Sequence, residues 1–134
     1  MRLAALCAGV AAAWLAFAPA RSACLKANEP DQTAEGRLDS VRITIEAYKL
    51  KEQAYILRLA SDACLDGPDE YDKVERTNRV HVFAMDDALR PRLRAFVGKR
   101  VRVSGEPFGE HTAHHHAPIV MRVRRVETIK AKAK

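Results

Sequence analysis

After residue 36 the chain alternates apolar and polar positions with a period of two over most of its length. Leu38, then Val41, Ile43 and Ile45, with Arg42, Thr44 and Glu46 between, predict a first strand. Gln53–Leu59 repeats the pattern with Tyr55, Leu57 and Leu59 on one face, and polar Tyr48–Glu52 reads as the hairpin connection. Arg79–Ala84, rich in Val and Phe, predicts a third strand. Lys99–Ser104 predicts a fourth, with Val101 and Val103 inward and Arg100 and Arg102 outward, and Ile119–Val126 a fifth. One segment changes period. Leu89, Leu93, Phe96 and Val97 recur at helical spacing behind Asp86 or Asp87 as a cap, Pro91 confines itself to the first turn, and Gly98 stands at the C-terminal glycine position. The order β-β-β-α-β-β predicts a mainly β fold. It fits a small five-stranded barrel like the oligonucleotide/oligosaccharide-binding (OB) fold, with one short helix between strands 3 and 4, over residues 36–128. The acidic stretch Asp62–Glu75 lacks calcium-loop spacing and reads as a long solvated loop.

The first residues follow another rule. Arg2 is followed by an apolar run from Leu3 to Ala18 and then by Ala18-Pro19-Ala20, a small-x-small site. Residues 1–20 are read as a signal peptide cleaved after Ala20 or Ser22, since the run is short for a membrane span. A lipidated Cys24 is disfavoured because Arg21 occupies the position where a lipobox has an aliphatic residue. The expected location is periplasmic or secreted, with no membrane span after cleavage. About 110 residues remain, enough for one small domain.

Export changes the reading of the cysteines and the charge. Cys7 leaves with the leader, and Cys24, in the N-terminal segment 21–35, remains with Cys64. An even pair in an oxidising compartment reads as a disulfide; a redox pair or metal thiolate is the alternative, without a C-x-x-C spacing to support it. The leader removes one of the 23 Lys and Arg residues and none of the 17 Asp and Glu, leaving a net charge near +5. Part of it lies in residues 129–134, a basic tail expected to be disordered. Arg100, Arg102, Arg122 and Arg124 lie on the predicted strands, as solvated outer faces or as a surface for anionic partners such as phosphates or a cell-envelope glycan.

Four of the five histidines fall in Glu110-His111-Thr112-Ala113-His114-His115-His116-Ala117-Pro118, between the last two predicted strands. On an extended segment His114 and His116 would share a face and His115 would point away. His111 could then add a third ligand for zinc or copper, the metals that suit imidazole sets. The competing reading is structural: the imidazoles, with Thr112, His115 and Pro118, shape the loop through hydrogen bonds. His81 alternates with Val80 and Val82 and is expected to face away from the core.

Several of these segments are familiar together. Gly36-x-Leu38, Tyr55-x-Leu57-x-Leu59 followed by Cys64, Gly98-Lys99-Arg100-Val101-Arg102-Val103-Ser104-Gly105-x-x-Phe108 and His111-Thr112-x-His114-His115-His116-x-Pro118 resemble a bacterial family of short exported proteins known only as domain of unknown function 4431. The likeness covers Gly36 to Val126, and the glycine-bounded strand with the histidine element is its specific part. The first hairpin lacks the family's Gly/Pro-rich insert, and Ala113 and Ala117 stand where Gly and Thr are usual. The resemblance implies export, lends loose support to the cysteine pairing and implies no activity.

No catalytic motif is present: there is no G-x-S-x-G elbow and no phosphate loop. The expected function is therefore an exported binding module, not an enzyme, holding a metal ion or small anionic ligand at the histidine loop. The alternative is a cell-envelope interaction or inhibitor protein whose loop is only structural. Nucleic acid is disfavoured, because few aromatics remain to stack bases.

Overall fold

A computed structural model describes residues 23–130. The predicted leader and residues 131–134 of the predicted tail lie outside the described residues. Six strands and one helix follow in order: β1 (Leu25–Lys26), β2 (Gln32–Ile45), β3 (Leu50–Asp66), β4 (Val74–Phe83), α1 (Leu89–Ala95), β5 (Arg100–Gly109) and β6 (Ile119–Thr128). The sheet order is β1-β3-β2-β5-β6-β4, and an additional β3–β4 pairing closes β2 to β6 into a five-stranded barrel. All barrel pairings are antiparallel except β4–β6. The expected OB-like barrel is therefore present, with the helix between its third and fourth strands. The two-residue β1, which no periodicity could reveal, pairs in parallel with the end of β3. Beside it Cys24 and Cys64 form a disulfide with their Cα atoms 4.6 Å apart.

Alternation builds the core. Leu38, Leu57, Val80, Val82, Val101, Val103, Ile119 and Met121 are all fully buried and form one cluster. Helix α1 adds Leu89 and Leu93 to that cluster and packs Phe96 against it. The cap differs from expectation. Ala88 is the N-cap, which keeps Pro91 inside the first turn, where a missing N–H costs nothing. Asp86 acts earlier: its Oδ1 accepts the Ala88 N–H at 2.7 Å and its carbonyl accepts from Leu89. Gly98 adopts φ +85°, which a side chain would resist, and its N–H donates to the Leu38 carbonyl at 2.7 Å.

Two sequence readings are corrected. The second strand is not confined to Gln53–Leu59; β3 starts at Leu50 and runs to Asp66, so Glu52 is a strand residue opposite Ile43. Nor is Asp62–Glu75 a long solvated loop. Its first part continues β3 through register shifts between Arg58 and Leu65, and its last two residues, Val74 and Glu75, already belong to β4. Between them a short 3-10 turn, Glu70–Asp72, buries Asp72 completely. Bulges interrupt the alternation there while the backbone ladder continues, so periodicity alone misses the strand.

Candidate functional site: the histidine loop

Residues 110–118 join β5 to β6, and the Glu110 N–H closes the loop on the Pro118 carbonyl at 3.1 Å. Inside it, Thr112 accepts twice: its Oγ1 from the His114 N–H at 3.3 Å and its carbonyl from the His115 N–H at 3.1 Å. The loop folds back over the outside of the barrel. Ala117 packs with Ala54 and Ile56 of β3, and Val41 and Ile43 of β2 flank that small second cluster. Val120 is fully buried although it alternates with the core residues Ile119 and Met121. Strand β6 is thus covered on both sides at its start.

Glu52 clasps the loop. His114 donates from Nδ1 to Oε1, and His116 donates from Nε2 to Oε2 at 2.9 Å. The His116 side chain is nearly buried, whereas that of His114 is 55% exposed and its ring stacks parallel to Tyr48. The hydrogen bond from His116, aided by His114, holds the Glu52 carboxyl below its usual range despite opposing desolvation. Beneath the loop, His81 of β4 accepts the His116 N–H on Nδ1 at 3.2 Å. An accepting Nδ1 makes this imidazole the neutral Nε2–H form. Burial, then the His116 and His115 charges, push its pKa down to about 4. His81 does face away from the core, as its alternation predicts, yet the loop buries it.

The other two loop histidines turn to a different side. His111 donates from Nδ1 to the Gly109 carbonyl at 2.9 Å, and its backbone N–H donates to His115 Nδ1 at 3.1 Å. His115 is therefore an Nε2–H donor, and burial, followed by the charge of His111, lowers its pKa. The two rings lie 4.8 Å apart, nearly perpendicular. Phe108 packs 5.2 Å from His115, and Tyr71 packs 4.7 Å from His111. With Phe83, Asn28, Thr112 and Arg122 they wall a cleft of about 350 Å³. Arg122 gives Nη1 to Glu106 at 3.3 Å, while its buried Nε has no partner among the described residues.

A buried carboxylate places Tyr71 at this cleft. Asp72 Oδ1 accepts the Gly109 N–H at 2.8 Å, docking the Glu70–Asp72 turn on β5. Only glycine fits there, because a Cβ on residue 109 would lie 1.6 Å from the Tyr71 carbonyl oxygen. The Tyr71 hydroxyl donates to Asp69 at 3.1 Å, and that hydrogen bond raises its pKa.

The structure thus divides the residues that the sequence grouped. His114 and His116 meet at Glu52, and His111 joins His115 instead. Among the described residues no group of three or more His, Cys, Asp or Glu side chains is arranged to hold a metal ion. Of the four candidate arginines, Arg100 is exposed, Arg102 pairs with Glu35 and Glu127, and Arg122 and Arg124 share Glu106. Glu52, Tyr71 and His81 meet the loop, and Asp72 meets Gly109 just before it, only through tertiary contact, so none was legible as a site residue.

Among the described residues no helix is long and apolar enough to cross a membrane. No curated protein matches the chain. Residues 79–127 match the model of a family described as a domain of unknown function (DUF4431), a span that starts within β4, takes in the whole histidine loop and bears out the family resemblance there.

Proposed function

We propose that the chain is an exported OB-barrel binding module that holds a small anionic ligand in the cleft beside its histidine loop. The observation that carries this reading is the convergence of Arg122, His111 and His115 on one aromatic-walled cleft of about 350 Å³, at the small end of the range for ligand sites. Export is supported by the leader pattern and by the disulfide, a bond that persists in oxidising compartments. Zinc or copper is the weaker candidate, because His111 is turned away from His114 and His116. An extended nucleic acid suits the barrel poorly, because the loop lies over β3, which forms part of the usual OB ligand face.

Titration of the disulfide-linked protein with phosphate and with acetate, followed by amide chemical shifts, tests the reading. Shifts clustered at Thr112, His115 and Arg122 are expected, and shifts spread over all basic surfaces refute it. The Glu52 clasp favours a second reading, a cell-envelope interaction protein whose loop is structural. That reading predicts partner capture from an envelope extract that is indifferent to Arg122→Gln.

A further inference from the structure

Within the cleft, polar groups of opposite character stand side by side. His115 offers an Nε2–H donor, because its Nδ1 is committed to the His111 backbone N–H. His111 in its neutral form offers an Nε2 lone pair, because its Nδ1–H is committed to Gly109. Asn28 and Thr112 can each donate and accept. A bare inorganic anion would leave the acceptors of this set unmatched. Hydroxyl groups match all of them, since each hydroxyl both donates and accepts.

Arg122 adds a requirement for charge. Glu106 takes its Nη1 and the same carboxylate also binds Arg124, while the Arg122 side chain stays 42% exposed, so the outer end of its guanidinium is open to a second oxyanion. A carboxylate or phosphoryl oxygen takes a charge-assisted hydrogen bond from such an exposed guanidinium end. Tyr71, 46% exposed, presents a ring face at the rim, and Phe108 lies deeper beside His115. Aromatic faces of this kind pack against the C–H side of a flat, hydroxylated ring.

We infer that the cleft takes a single acidic sugar unit: its oxyanion on Arg122, its hydroxyls on His111, His115, Thr112 and Asn28, and its C–H face on Tyr71. This rests on the small-anion reading and narrows it to a saccharide carrying a carboxylate or phosphate. The site adjoins the usual OB ligand face but takes no residue from β3. It lies across β4, β6 and β5, on the side of the loop away from the Ala117 cluster.

The test titrates the disulfide-linked protein with glucuronate, glucose, glucose 6-phosphate and acetate, by calorimetry and amide shifts. Glucuronate or glucose 6-phosphate should bind at least about tenfold more tightly than glucose or acetate, as the loss of one charge-assisted hydrogen bond or one ring contact implies. Which of the two acids binds better identifies the oxyanion. Arg122→Gln should bring the acidic sugars to the level of glucose, and Tyr71→Ala should weaken all three sugars while leaving acetate unchanged. Arg124→Gln is the control, since Arg124 shares Glu106 but does not line the cleft, and it should bind like the native protein. Acetate equal to glucuronate would overturn the sugar assignment and leave the anion reading standing. Equal damage from Arg124→Gln and Arg122→Gln would overturn the assignment of Arg122. No binding by any probe, phosphate included, would overturn both readings.

Discussion

Acidification should strain this fold most at one identifiable residue. His81 is 9% exposed and packed under His116 and His115 of the loop, with Glu52 as the neighbouring carboxylate and Arg90 of α1 in the same crevice. In the unfolded chain its imidazole titrates near 6.5; in the folded protein it does so at about 4. The unfolded state therefore binds the proton first, and stability falls as pH drops from about 6.5 to about 4, with no further loss below. The full difference is about 3 kcal/mol, of which about 2 kcal/mol accrues between pH 7 and pH 5. His81→Gln keeps an acceptor for the His116 N–H and removes the titration. Urea denaturation followed by circular dichroism at closely spaced pH values measures both proteins. The native protein should lose about 2 kcal/mol more than His81→Gln between pH 7 and pH 5. In most of that window the depressed Glu52 carboxyl stays ionised and adds no slope of its own. Parallel stability curves for the two proteins would refute the buried, neutral assignment of His81.

Four further outcomes follow. Glu52→Gln should destabilise the protein by about 1–2 kcal/mol at neutral pH. Because the folded carboxyl titrates below its usual value, that gap should close as pH falls through the folded pKa, and an undiminished gap in strong acid would contradict the clasp. Reducing the Cys24–Cys64 bond, which spans 40 residues, should cost about 4 kcal/mol in the chain-entropy account, read as a lower urea midpoint in reductant. Gly109→Ala should cost about 2–4 kcal/mol, because its Cβ meets the Tyr71 backbone, which cannot rotate aside. Gly98→Ala has nothing within 4 Å of the new Cβ and should cost about 1 kcal/mol, from its positive φ alone; equal melting temperatures would undo the distinction.

The barrel was legible because its strands alternate and one face of each fills a single core. Val101 and Val103 inward with Arg100 and Arg102 outward is the arrangement found, and Leu38 and Leu57 meet across the β2–β3 pair. Periodicity reads one face, however, and this fold buries part of the other. Val41, Ile43, Ala54 and Ile56 serve a second cluster that exists only because Ala117 folds onto it. The same folding turns Glu52, which reads as part of a polar turn, into the anchor of two histidines some sixty residues away. Asp72 sits in an acidic run whose neighbours are solvated, and only its bond to Gly109 distinguishes it. The histidine cluster was found from its spacing in the sequence alone. Its division into two pairs was not, because that depends on which carboxylate and which aromatics the barrel brings to each side of the loop.

That division bears on what the loop can do. A surface loop with a free conformational ensemble must be ordered before it can hold a ligand, and that ordering subtracts from affinity. Here His114 and His116 are spent on Glu52 and Ala117 is packed, so the backbone carrying His111 and His115 is fixed in the absence of ligand. The clasp and the cleft are thus two sides of one short segment, the first preorganising the second. Under the proposed reading the same clasp limits the size of the guest. A polymer crossing the usual OB face would have to displace Ala117, break both bonds to Glu52 and uncover His81. The proposed one-ring ligand, seated between Tyr71, Phe108 and Arg122, would break none of those contacts. Loop placement, more than barrel topology, is therefore what the proposed small ligand, as against a strand of nucleic acid or a long glycan, rests on.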